Sequence, residues 1–520
     1  MNVYKKIAVF IVSLIVLILL FNFGLNYWVN KQLPKIISEK NKTAYNITYG
    51  DLQIDLLAKN IKASKINISP KREKKDSINK LGIYSKIASI EINEFKVWDI
   101  LFNNRIKADN IIINTPEIIL YKETNNAINN SKSLGSDVVE PFQEIIMVSS
   151  IQLNKGNLKI VHTKTSKPIL SLVNLSLNLD GIVITDDLLQ KKIPFSYDAY
   201  SITTDSIYYQ ISDVYHITGQ DLETTNEKLT VKKFELIPEY SRRQFVNSLQ
   251  KEKDLFTLQA DLIKLNAMDW GIKDDKFFFN VNSITIDQMS ANIYRNKLPA
   301  DDLSKKPLYN KLLREIPFPL KVDTLSIRNS ILVYEEEINF EKGPGMLTFD
   351  NFNLTATHIQ SGYKQTKLPD INIAINCKFM NNSPFKVQWN FNVLDKKDRF
   401  TFKGKINNLK MTDLSRFTKP YIQATTQGTF DELDFTIKGN DFNSYETATL
   451  KYHDLKVTLY QKDNPQKKSK LKSLVANLIV KNDTDGKTVP AEAKVERIPE
   501  KSFFNFLWLN VAEILKQIVI

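Results

Sequence analysis

The sequence predicts a mostly β fold: a long curled antiparallel β-groove built of tandem modules, with an amino-terminal transmembrane helix and a carboxy-terminal amphipathic helix. Three observations predict it. Apolar and polar residues alternate over most of the chain, a four-position apolar motif returns in pairs, and the two terminal segments carry a different periodicity.

The amino terminus sets the first boundary. An apolar run from Ile7 to Trp28 is interrupted only by Ser13, Asn22, Gly24 and Asn26, long enough at about 1.5 Å per residue to span a hydrocarbon core. Tyr27 and Trp28 stand where an interfacial aromatic belt lies. The run is too long for a cleaved signal peptide and no small-x-small site follows it. Residues 1–6 are therefore expected as a cytoplasmic tail, 7–28 as an uncleaved anchor and 29–48 as a linker. Lys5 and Lys6 face Lys31, Lys35, Lys40 and Lys42 across the anchor, so charge does not orient it. A short tail ahead of a long apolar segment stays inside, which places the bulk of the chain outside the cytoplasm.

From about Tyr49 onward the chain alternates, as in DLQIDLLAKNIKASKINI, SIEINEFKVWDIL, NLSLNLDGI, FKVQWNFNVL, GTFDELDFTIKG and ATLKYHDLKVTLY. These segments are half-buried strands, separated by Asn, Asp and Gly turns. Many strands joined by short turns give a meander. Two longer connections interrupt it, at about 122–145 and 295–320, and the second is expected to carry a short helix from Lys306 to Glu315.

The repeated motif places apolar side chains at relative positions 0, 2, 7 and 9. Its copies are Ile111, Ile113, Ile118, Leu120; then Ile151, Leu153, Leu158, Ile160; then Ile284, Ile286, Ala291, Ile293; then Leu325, Ile327, Leu332, Tyr334. The first two copies lie 40 residues apart and the last two 41, so one pair maps on the other with shifts of 173 and 174. Leu170, Leu172, Asn174, Leu175, Leu177 and Ile182 match Leu347, Phe349, Asn351, Phe352, Leu354 and Ile359 at a shift of 177, and Pro70 matches Pro238 at 168. Trp98 and Trp270 precede their copies by similar distances. A fixed order of landmarks signals stacked modules that cannot bury their own edges. The expected modules are 49–220, its tandem copy 221–395 and a carboxy-terminal module 396–500. Alternation assigns Ile111 with Ile113, Ile151 with Leu153, Ile284 with Ile286 and Leu325 with Ile327 to one face, either a wet groove or a sealed core.

The last segment, 501–520, changes period. Asn505, Asn510, Glu513, Lys516 and Gln517 fall on one arc of a helix, opposite Phe504, Leu507, Trp508, Val511, Ile514, Leu515 and Ile518, with Phe506 and Leu509 breaking the polar face. Such a helix either caps the end of the sheet or lies on a membrane or in a groove.

Catalytic and metal constellations are absent from the sequence. The four histidines are far apart, Cys377 is the lone cysteine and reads as a small buried apolar residue, and there is no phosphate loop or nucleophile elbow. No cofactor, no metal and no enzyme activity are expected. Asp301 and Asp302 read as a solvated or capping turn. The net charge of +13 is dispersed, its main cluster being KREKK at 71–75 in a loop, so nucleic acid is not an expected partner.

At this point the chain resembles the AsmA-like family of bacterial envelope proteins, related to translocation-and-assembly-module B and bridge-like lipid-transfer proteins. The resemblance is carried by the anchor followed at once by NITYGDLQIDLLAKNIKASKINISP, by SIEINEFKVWDIL and ADNIIINTPEIILYK, and by GTFDELDFTIKGNDFNSYETATLKYHDLKVTLY leading into KSFFNFLW. It implies a single-pass inner-membrane protein with its bulk in the periplasm, binding phospholipids or other envelope lipids and contributing to lipid transport and outer-membrane homeostasis. An assembly factor that pairs edge strands with outer-membrane proteins, and a passive structural protein, are the other expectations. The chain is shorter than the largest members, so a full bridge is not expected.

Overall fold

The computed structural model describes residues 45–55, 58–71, 81–96, 106–123, 146–183, 195–273, 276–461, 464–468 and 481–519, with isolated positions nearer the amino terminus. The expected tail and most of the anchor at 7–28 and of the linker lie outside the described residues, as do Trp98 and residues 472–480. No helix among the described residues is long and apolar enough to cross a membrane.

The chain divides into two compact units at residues 212–227. The expected module boundary at 220/221 falls inside a strand, Tyr215–Thr225.

The first unit holds β1 (Tyr45–Thr48), β2 (Asp51–Asp55), β3 (Asn60–Pro70), β4 (Gly82–Asn93), β5 (Ile106–Asn114), β6 (Glu117–Lys122), β7 (Ile146–His162), β8 (Pro168–Asp180), β9 (Ala199–Gln210) and most of β10 (Tyr215–Thr225). β1 and β2 both pair with β3, β3 pairs with β4, and β4 pairs with β5 and β6, all antiparallel. β5 and β6 then run parallel to β7, after which β8 and β9 follow antiparallel.

The second unit begins with β11 (Lys228–Pro238), helix α1 (Arg242–Ser248), β12 (Leu255–Lys273), β13 (Lys276–Asn296), α2 (Tyr309–Arg314), β14 (Leu320–Glu337) and β15 (Gly345–Gln360). It continues with β16 (Ile371–Phe379), β17 (Ser383–Phe391), β18 (Phe400–Lys410), α3 (Ser415–Ile422), β19 (Ala424–Gly439), β20 (Asn443–Gln461), β21 (Asn464–Lys468), β22 (Val489–Glu496) and α4 (Phe503–Val519). Strands β11 to β20 pair in chain order and β22 pairs with β20. Every step is antiparallel except β13–β14, which is parallel.

The sheets are therefore mixed, which corrects the expected antiparallel meander. The reason lies in the two long connections. A short turn reverses the chain, whereas the 23 residues between Asn296 and Leu320 return it to the starting end of the sheet, so that β14 runs beside β13 in the same direction. The helix in that connection is shorter than expected: α2 starts at Tyr309 with Leu308 as its cap. Ser304 turns back on Asp302.

The parallel steps join the copies of the repeated motif to each other. Ile111 and Ile113 pair with Ile151 and Leu153, and Ile118 and Leu120 pair with Leu158 and Ile160. In the second unit Ile284, Ile286, Ala291 and Ile293 pair with Leu325, Ile327, Leu332 and Tyr334. The sequence offsets within each pair of copies are thus the registers of two parallel ladders.

Backbone conformation explains the motif's odd spacing. Positions 2 and 7 differ in parity, so a regular strand would turn them to opposite faces. Four residues into every copy stands a left-handed residue: Thr115 (φ 45°), Lys155 (φ 51°), Gln288 (φ 51°) and Asn329 (φ 50°). Each works as a bulge that resets the alternation, and Ile286 accordingly packs in the same cluster as Ala291, and Ile327 in the same cluster as Leu332. Because both members of each parallel pair bulge at the same level, the register passes through unchanged.

The bulges also carry the duplication into three dimensions. Lys65 and Lys233, Glu94 and Ala267, Ser166 and Gly343, Asn174 and Asn351, and Gly181 and His358 are all left-handed at equivalent places. The bulge amide is held alike in both units, Lys155 N–H donating to Ser176 Oγ at 3.3 Å and Asn329 N–H to Asn353 Oδ1 at 3.0 Å. A left-handed non-glycine residue costs about 1–2 kcal/mol, so its recurrence at matched sites marks a built feature.

Candidate functional site

The registers line apolar side chains into rows that run across the strands. In the first unit one row is Ile61, Ile92, Ile111, Ile151, Leu179, Tyr200. The next is Ala63, Ile90, Ile113, Leu153, Leu177, Ile202. The other face carries amide ladders: Asn60 Nδ2 donates to Asn93 Oδ1 at 2.8 Å, Asn110 Nδ2 to Ser150 Oγ at 3.0 Å, and Asn154 Nδ2 to Asn114 Oδ1 at 2.9 Å. Those ladders pin the register, because a slip of one residue would exchange the two faces.

In the second unit the rows cross eleven strands. One begins Leu229, Leu265, Ile284, Leu325, Ala356, Ile373 and continues Trp389, Phe402, Ile437, Glu446, Ala493. Its neighbour begins Val231, Ile263, Ile286, Ile327, Leu354, Ile375 and continues Val387, Gly404, Phe435, Ala448, Ala491. At about 4.8 Å per strand each row runs about 48 Å.

The surroundings change along these rows. Over β11–β15 the apolar clusters around Ile284 and Leu325, and around Ile286 and Ile327, consist of strand residues alone. They form one layer, and all four side chains are half-buried. Over β16–β22 the cluster has two layers: α4 contributes Phe503, Phe506, Leu507, Ile514 and Ile518 against Trp389, Phe402, Ile437 and Leu450. Ile437 and Leu450 are fully buried there. Phe503 stacks on Trp389 at 4.7 Å between ring centroids and meets Phe400 edge-on at 5.1 Å. The helix thus begins where the open part of the row ends.

The residues singled out in the sequence fall into three settings. The parallel ladders join Ile111 to Ile151, Ile113 to Leu153, Ile284 to Leu325 and Ile286 to Ile327 within their own units. Ile111 and Leu153 are buried, whereas Ile113, Ile151 and the four of the second unit are half-buried. On α4, Leu507 is buried, Val511 and Leu515 are half-buried against the core, and Phe504 and Trp508 are exposed.

The buried stripe of α4 includes Leu507, Ile514 and Ile518, as expected, and differs elsewhere. Phe506 and Asn510 lie inside and Phe504 and Trp508 outside. Asn510 is admitted because its amide is used on both sides, bonded to Ser444 Oγ at 2.7 Å and donating to Phe506 O at 2.8 Å. A buried amide is tolerated when its bonds are made.

Polar groups gather away from the rows. Arg242 binds Glu335 and Tyr294 donates to Glu337, while burial together with the Glu337 carboxylate pushes the Tyr294 phenol up to about 12. Arg295 makes a two-pronged pair with Asp254 at 2.6 and 2.8 Å. Lys501 bridges Asp301 at 2.8 Å and Glu252 at 3.5 Å, and Asp302 binds Lys306, so the tandem aspartates do turn-and-tether work. Cys377 is buried, and burial pushes its thiol up to about 12. No cluster of His, Cys, Asp or Glu able to hold a metal occurs among the described residues.

One functional feature went unseen in the sequence. Glu446 lies in an otherwise apolar row, fully buried, with neither carboxylate oxygen hydrogen-bonded, and burial alone pushes its carboxyl up to about 8. Its neighbours Ser444 and Ala448 share its inward parity, which was the available signal. The chain matches no protein-family model and no curated protein.

Proposed function

We propose that the chain is an AsmA-like, membrane-tethered β-groove protein that holds lipid acyl chains along its apolar rows and contributes to phospholipid transport in a bacterial envelope. The observation that carries this reading is the single-layer stretch over β11–β15, where the apolar row side chains of consecutive strands stand in register with no helix in their clusters, all half-exposed except the buried Val231 and Ala356. An acyl chain laid on such a row gains about 0.8 kcal/mol for each CH2 it buries, while the headgroup stays in water at the rim. The matched bulges support the reading, because they keep the apolar side chains on one face through a level where each strand would otherwise turn them over. The row requires neither a catalytic residue nor a cofactor. The anchor at 7–28 would hold the groove at the inner membrane with its bulk in the periplasm.

The test is native mass spectrometry of the full chain purified from a membrane fraction in mild detergent. The reading predicts bound phospholipid, and at least a tenfold loss of it in Ile284→Lys/Leu325→Lys, whose ammonium groups would stand in the row. A wild-type chain free of lipid, or equal lipid on both proteins, contradicts it.

A further inference from the structure

The seal over the closed end of the rows encloses buried polar groups without partners. The ion pairs that tether α4 to its unit lie at one end only. Lys501 pairs with Asp301 and Glu252, Arg497 with Asp441 and with the Lys306 carbonyl, and the Lys306 amide donates to Pro499 O at 2.8 Å. Beyond that end it is held by the Asn510–Ser444 hydrogen bond, by burial of Ile514 and Ile518, and by one backbone bond, Lys481 N–H to Val519 O at 2.8 Å. Between the two ends it covers a face on which polar groups lack partners. Both Glu446 oxygens on the sheet, and Asn505 Oδ1 on the helix itself, are buried without a hydrogen bond. Its outer face shows Phe504 and Trp508 at 61% and 59% exposure, so the helix presents apolar surface on both sides.

We propose that α4 is a displaceable seal that swings out about the 497–502 tether, uncovering the apolar rows from β16 to β22, and that ionisation of Glu446 drives the opening. The inference does not depend on what the rows carry.

The charges around Glu446 leave it no counter-ion. On β19 its ladder partner is Ile437, and the flanking Phe435 also points inward; on β22 the inward residues are Ala491, Ala493 and Val495, with Glu492, Lys494 and Glu496 exposed. On α4 the titratable Glu513 and Lys516 pair with each other at 3.7 Å and neither is buried. The buried Arg497 is committed to Asp441. With the helix seated, the carboxyl is held protonated up to about pH 8. With the helix displaced, water reaches it and its pKa returns to about 4.3.

The sign follows. Between those two values the closed form binds more protons than the open one, so closure is strongest below pH 4.3 and weakens as pH rises toward 8. The open population grows by up to about tenfold per pH unit across that window and levels off above it.

Amide hydrogen exchange of the full chain in detergent measures this directly, with protection factors corrected for intrinsic rates at pH 5, 6, 7 and 8. For residues 503–519 we expect protection to fall about tenfold per unit in the wild type, with β17 and β18 unchanged. In Glu446→Gln the fall disappears. Glu446→Met, which is apolar and of similar length, also removes it and raises protection at pH 8 above wild type. The proposal is overturned by protection of 503–519 that does not vary with pH in the wild type, by the same fall in the Gln or Met protein, or by an equal fall in β17 and β18. Lipid binding plays no part in this measurement, so its failure and that of the lipid reading are separate results.

Discussion

The two halves of one row in the second unit form the instructive comparison. Ile284 and Leu325 lie on the same face, in the same register, as Phe402 and Ile437. The first pair are half-buried in a cluster of strand residues, whereas the second belong to a two-layer core closed by α4. An apolar face by itself therefore specifies neither core nor surface. What decides is whether a second layer is supplied, and here α4, together with Leu308, Tyr309 and Leu313 at α2, supplies it for part of the length. Aromatic residues mark the rows of the sealed half, where Trp389, Phe402, Phe435 and Phe503 interlock, while the row positions of the open half are Ile, Leu, Val and Ala, with Phe234, Met268, Phe279 and Met289 beside them.

Substitution at matched places should separate the halves most strongly in stability. Ile437→Ala removes a fully buried side chain and should cost about 2–5 kcal/mol, with Ile284→Ala, already half in water, near 1 kcal/mol. Denaturant unfolding of the two variants in the same detergent measures both. Equal costs would mean that the open half is covered in solution.

The bulges give a smaller and sharper contrast. Lys155 has a φ of 51°, so Lys155→Val should destabilise by about 1–2 kcal/mol and Lys155→Gly should change stability by less than about 1 kcal/mol in the favourable direction. Thermal melts that rank valine at or above glycine would contradict the left-handed bulge at that site.

Much of the fold was legible because strands write their faces at a period of two. The motif copies and the offsets of 40 and 41 between them became the registers of the parallel ladders, and the shift of 177 aligns β8 with β15 in sequence. The parallel steps were not legible, because strand direction depends on where a connection lands and apolar periodicity is blind to it. The bulges left a trace in the five-residue gap between Ile286 and Ala291, but Thr115, Lys155 and Gln288 are not residues that advertise a positive φ. The face of α4 was misjudged at Asn510 because helical periodicity sorts residues by polarity, and a polar side chain with a partner waiting in Ser444 breaks that sort. The rows themselves emerge only when registers are known, since Ile284 and Phe402 are far apart in sequence and share a row through four intervening strands.

The central claim is that one continuous apolar row is open over β11–β15 and sealed over β16–β22. Photolabelling of the full chain with a phospholipid bearing a diazirine in its acyl chain, followed by mapping of the modified residues at pH 5, tests it most directly. Labels on Ile284, Leu325 and their row neighbours, with Phe402 and Ile437 unmarked, are the predicted result. Labels spread evenly along the row, or confined to the opposite amide-bearing face, would contradict it.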